Sequence, residues 1–131
     1  NGHEYQLELI HALGLSFSVA NQIHIIAEEY ATAPYKNTNK NKDMITEFTQ
    51  AHDTLNDLYR SAIKMLEIPT QYSHEQRVLL VNYILINAKK TGRRLSPKAR
   101  SSLHSLIVTI FRLEPDNEIK HALETILTVL D

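Results

Sequence analysis

The chain has 131 residues, 43% of them apolar and 22% charged, with a formal net charge of −1. Those values suit one globular domain long enough to bury its own core. The absence of cysteine excludes a disulfide framework, a thiolate zinc site and a cysteine nucleophile.

The sequence holds no Asn-x-Ser/Thr glycosylation acceptor, and no apolar run approaches the roughly 20 residues that span a bilayer. Asn1-Gly2-His3-Glu4 shows neither the basic nor the apolar region of a signal peptide. Without an initiator Met, residues 1–131 read as a single all-helical domain excised from a longer chain, in an intracellular, cytoplasmic setting. The charge is uneven. Residues 1–34 hold four acids and no Lys or Arg, whereas residues 89–112 hold seven bases and no acid.

Only three Gly and four Pro punctuate a pattern that keeps a 3.6-residue period, and no strand is predicted. Six helices are expected. The first runs from about Glu4 to Leu13 and stops at Gly14, read as a C′ residue. The second starts at Ser16 or Ser18 and runs to Ala33, before Pro34. Residues 34–42 are polar and aperiodic and read as a flexible loop. The third helix starts at Asp43 and continues to about Glu67, with Met44, Ile45, Phe48, Ala51, Leu55 and Leu58 on one face.

Ser73 and Gln76 then fit a capping box. The fourth helix spans about 74–91, with Gly92 as its stop. Its run from Val78 to Ala88 is apolar on every side except at Asn82 and Asn87, so it belongs at the centre of the fold. Each of those two amides needs a buried partner or a gap between neighbours. Ser96 and Pro97 open the fifth helix as N-cap and N1, and it ends near Leu113. Pro115 or Asp116 opens the sixth, which reaches the C-terminus. The six helices are expected to pair as three antiparallel hairpins, in an irregular bundle or a short α-solenoid. Leu106, Ile107, Ile110 and Leu113 lead into Glu114-Pro115-Asp116-Asn117-Glu118-Ile119, then Ala122, Leu123 and Leu127. That segment resembles the second half of a HEAT repeat, and the resemblance implies helix-hairpin stacking.

Two Glu-x-x-His pairs, Glu8/His11 and Glu118/His121, have the spacing of dimetal carboxylate ligands. Projection at 100° per residue places both pairs outside the apolar faces, so no metal site is expected. His52 and His104 lie at the edges of apolar stripes and read as structural. There is no Gly-x-Ser-x-Gly elbow and no Gly-rich phosphate loop. Residues 9–26 have the Gly-in-turn look of a helix-turn-helix, but the second helix carries no Lys or Arg to meet phosphates. No catalytic residue and no cofactor are assigned.

The one functional cluster in the sequence is basic: Lys89, Lys90, Arg93, Arg94, Lys98 and Arg100. They flank the start of the fifth helix, where a helix N-terminus adds to an anion-binding potential. Arg93-Arg94-Leu95-Ser96 also fits a basophilic kinase pattern, although Ser96 reads first as an N-cap. The expected function is a non-enzymatic protein-interaction domain, a scaffold, adaptor or regulatory module. The alternative is a nucleic-acid- or polyanion-binding domain using residues 89–100.

Overall fold

A computed structural model describes residues 2–32 and 38–131, with the side chains of residues 4–31 and 45–131. The described residues form five helices rather than six: α1 (Gly2–Thr32), α2 (Thr38–Lys64), α3 (His74–Thr91), α4 (Pro97–Leu113) and α5 (Asn117–Leu130). One 3-10 turn, Gly92–Arg94, links α3 to α4.

The expected break at Gly14 does not occur. Glycine ends a helix when it takes a left-handed conformation, and Gly14 has no positive φ. Its missing side chain serves packing instead. A Cβ on Gly14 would stand 2.8 Å from Cε1 and 2.9 Å from Cζ of Tyr83. Ser16, expected to open a second helix, is a residue of the helix interior and donates its hydroxyl to the Ala12 carbonyl at 2.9 Å. With no turn between residues 9 and 26, no helix-turn-helix forms there. Of the flexible loop expected at 34–42, residues 38–42 belong to α2 instead; residues 33–37 lie outside the described residues.

The other boundaries follow their capping chemistry. Ser73 accepts from the Gln76 N–H at 3.2 Å, and Gln76 Oε1 accepts from the Ser73 N–H at 3.1 Å. Ser96 caps α4 by accepting from the Ala99 N–H at 3.2 Å, with Pro97 in the first turn. Gly92 does stop α3, but in a right-handed conformation (φ −54°, ψ −41°). A Cβ on it would stand 3.3 Å from Leu130 Cδ2, so the small residue there admits α5.

The molecule is a packed helical bundle. α1 lies along α2, α4 pairs with α5, and α3 touches α1, α2 and α5. The core joins Ile10 and Phe17 of α1, Leu55, Tyr59 and Ile63 of α2, Leu80 and Ile84 of α3, Leu103 and Ile107 of α4, and Ile119 and Leu123 of α5. Each such side chain contributes about 1.5–3 kcal/mol on full burial. Phe17 and Tyr59 meet edge to face, with ring centroids 5.0 Å apart. α3 is the hub expected of it, yet it is not enclosed on all sides. Asn82 and Ile86 face outward with Lys89 and Lys90, and Asn87 alone of the two amides is buried.

Candidate functional site

The basic segment does not converge on one point. Arg94 turns back to α1, and its Nη1 donates to Glu28 Oε2 at 2.8 Å. Arg93 and Arg100 turn instead to the end of α5, where Arg93 Nη1 donates to the Asp131 carbonyl at 2.8 Å and Arg100 Nη1 lies 3.5 Å from the same oxygen. Lys89, Lys90 and Lys98 are exposed. The structure therefore splits the six expected anion-binding residues, Lys89, Lys90, Arg93, Arg94, Lys98 and Arg100, between two carboxyl-terminal or acidic neighbours and open surface.

Both Glu-x-x-His pairs are on the surface. Glu8, Glu118 and His121 are exposed, and His11 lies against Tyr83, its Nδ1 3.0 Å from the phenol oxygen. Another group of possible metal ligands does come together. His74, Asp116 and Glu118 hold ligand atoms within 4.8 Å of one another. His74 is the first residue of α3 and Asp116 the N-cap of α5. Carboxylates there complement two positive helix ends, a potential that opposes a cation. Asp116 Oδ2 already lies 2.8 Å from His74 Nε2. The cluster ties two helix starts together.

Two buried polar systems position α1 and the hub. In the first, Arg77 of α3 donates Nη2 to both oxygens of Glu114 and Nη1 to the carbonyls of Leu66 and Ile68, each at 3.3 Å. Both side chains are almost wholly buried. One guanidinium thus joins the end of α2, the start of α3 and the end of α4. The second system is a relay. The Tyr59 hydroxyl meets Thr91 Oγ1 at 2.8 Å, and Thr91 donates to Asn21 Oδ1 at 2.7 Å. Asn21 donates in turn to Asn87 Oδ1, and Asn87 donates to the Tyr83 carbonyl at 2.7 Å. Burial pushes the Tyr59 phenol well above its usual pKa, so it stays protonated.

His24 stands beside this relay and is not satisfied by it. It is fully buried, and neither ring nitrogen has a hydrogen-bond partner. It packs against Phe48 and His52. Oε2 of Glu28 stands 3.8 Å from Nδ1, beyond hydrogen-bond reach. Burial lowers the pKa of His24 from its ordinary value; Glu28 opposes the shift, and His52 and Arg94 add to it. His52 Nε2 accepts from the Ser96 N–H at 3.0 Å, and His104 pairs with Asp131 at 3.2 Å.

The feature with no internal purpose is the outer face of α1. Leu15, Val19, Ile23, Ile26 and Tyr30 recur at helical spacing and all are exposed, Leu15 by 72% and Val19 by 59%. Tyr5 and Leu9 continue the face toward the N-terminus. Along its side, between α1 and α2, run two adjoining hollows of about 520 and 480 Å³ that share Ala20, Ile23 and Thr54. Glu47, Gln50, Ala51 and Leu58 complete the α2 wall.

Comparison with protein families, curated proteins and solved structures finds no match to this chain.

The α1 face was hidden by the expected break at Gly14. As two short helices, residues 4–33 show Tyr5, Leu9, Ala12 and Leu13 as one core face. As a single helix, the core face is Ile10, Leu13, Phe17, Asn21 and His24, and Tyr5, Leu9 and Ala12 turn outward. Continuity also changes the length. Glu4–Ala31 is long and apolar enough by composition to cross a membrane, with a mean hydropathy of 1.4 and 28% of its apolar window buried. The sequence does carry a signal for Arg77. It occupies the stripe of Leu80, Val81, Ile84 and Ala88, where a charge demands a partner.

Proposed function

We propose that the chain is a non-enzymatic helical interaction domain, a scaffold, adaptor or regulatory module, whose protein partner docks on the outer face of α1 and the groove shared with α2. The observation that carries this reading is the row Leu15, Val19, Ile23, Ile26 and Tyr30, left open on a helix whose opposite face is fully packed. Contiguous apolar surface of this kind marks interaction sites on otherwise folded proteins. The opposite face argues for docking over membrane crossing, because it commits Asn21 and His24 to the bundle interior. The competing use of residues 89–100 for nucleic acid has less support, since Arg93, Arg94 and Arg100 face oxygen acceptors within the domain.

Site-specific photo-cross-linking tests the reading. A photoreactive residue at Ile23 is expected to give a nuclease-resistant protein adduct in cells, and one at Arg93 is not. Val19→Glu with Leu15→Glu should remove the adduct. An adduct only from position 93, or a nuclease-sensitive one, would move the interface to the basic segment.

A further inference from the structure

The groove has a charge pattern as well as a shape. Between Leu15 and Tyr30 on α1 the charged side chains are Glu28 and Glu29, and between Ile45 and Leu58 on α2 they are Glu47, Asp53 and Asp57. Neither stretch contains a Lys or Arg. Glu29 lies three residues from Ile26, hence beside it on one rim; Asp57 lies three from Thr54 on the other, and Glu47 lines the hollow itself. The apolar floor from Leu15 to Tyr30 is about 22 Å long at the rise of an α-helix.

From this we infer that the occupant of the groove is a basic amphipathic helix of about four turns, resting on the docking reading above. Its apolar side chains, at i, i+4, i+7 and i+11, pack on Leu15, Val19, Ile23 and Tyr30, and its flanking Lys or Arg face Glu29, Glu47 and Asp57. Two other coverings suit these walls less well. A second copy would lay acidic rim against acidic rim, which opposes association. Amphipathic helices that lie in anionic membrane surfaces carry Lys and Arg on their polar face, and this one carries acids.

The test uses the full chain and two designed helical peptides of about 15 residues with the same leucine face, one with lysine and one with glutamate at the polar positions. By titration calorimetry the lysine peptide is expected to bind at least about tenfold more tightly than the glutamate peptide, with the gap narrowing as salt rises. Val19→Glu with Ile23→Glu should abolish its binding, and Glu29→Gln with Glu47→Gln should weaken it several-fold. Circular dichroism confirms that the variants remain folded. Equal binding of both peptides, lost in the Val19/Ile23 variant, would overturn the charge inference and leave the docking reading standing. Binding of neither peptide, or binding that survives the Val19/Ile23 change, would overturn this inference, and the cross-linking result then decides the docking reading alone. A concentration-dependent dimer in sedimentation that the same variant abolishes would assign the face to a second copy. Flotation with phosphatidylserine vesicles, lost in that variant, would assign it to a membrane; both outcomes overturn the proposal.

Discussion

α1 and α5 are both apolar helices on the outside of the same bundle, yet they treat their surfaces differently. α5 is amphipathic in the ordinary way. Ile119, Leu123, Ile126 and Leu130 are buried, and its outer positions are Glu118, His121, Glu124 and Thr128. α1 buries one apolar row and shows another. The rule that a helix apolar all round is buried all round holds for a complete assembly. Where one face stays open, the chain specifies more apolar surface than its own fold consumes. The interior of α1 differs too. Beside Ile10 and Phe17 it offers the bundle small and polar groups, Gly14, Ala20, Asn21 and His24, where the buried face of α5 is mostly branched aliphatics.

The largest loss is expected at the hub. Arg77→Ala strands the Glu114 carboxylate in the interior and should lower stability by about 3–5 kcal/mol in urea denaturation. Arg77→Met with Glu114→Leu should recover most of that loss, since a well-packed apolar pair avoids the desolvation of both charges. The attachment of α1 comes next. Asn21→Ala leaves Asn87 and Thr91 without their shared partner and should cost about 1–3 kcal/mol. Hydrogen exchange should then rise in α1 more than in α4 and α5.

Gly14→Ala sharpens the contrast by its sign. Alanine gains about 1 kcal/mol of helix propensity over glycine, but here it drives into the Tyr83 ring. It should destabilise the native protein and stabilise a Tyr83→Ala background by about 1 kcal/mol. Acid should act on the α1–α2 side through His24. Its folded pKa lies below the ordinary 6.5, so the unfolded chain binds the extra proton. Stability is then full above the ordinary value and falls as pH drops through and below it. Thermal melts in acid should show a smaller loss for His24→Leu than for the native chain. The smallest effect is expected on the open face. Val19→Glu with Ile23→Glu should change stability by no more than about 0.5 kcal/mol per site, because these side chains are exposed.

Local chemistry made the C-terminal half legible from the sequence. Ser73–Gln76 and Ser96–Pro97 announce helix starts through hydrogen bonds that span three residues, and the structure contains both. The N-terminal half depended on a contact between residues far apart. Gly14 means a helix end when read with its neighbours and a close approach when Tyr83 is known. That single ambiguity made two helices from one and turned the apolar face inward. Arg94 and Glu28 illustrate the same limit. They sit in segments of opposite charge, 66 residues apart, and only the folded chain brings them together.

One consequence of the Gly14–Tyr83 contact reaches beyond packing. α1 has apolar rows on opposite sides, so hydrophobicity alone leaves its rotation about its own axis undecided. Between Glu4 and Ala31 the helix has one position without a side chain, and the Tyr83 ring sits there. The ring acts as a detent that sets the rotational phase of the helix, with the Asn21–Asn87 bond as a second pin two turns further on. What α1 presents to the outside is thus chosen from the inside, and a substitution at position 14 reaches the far face without touching it.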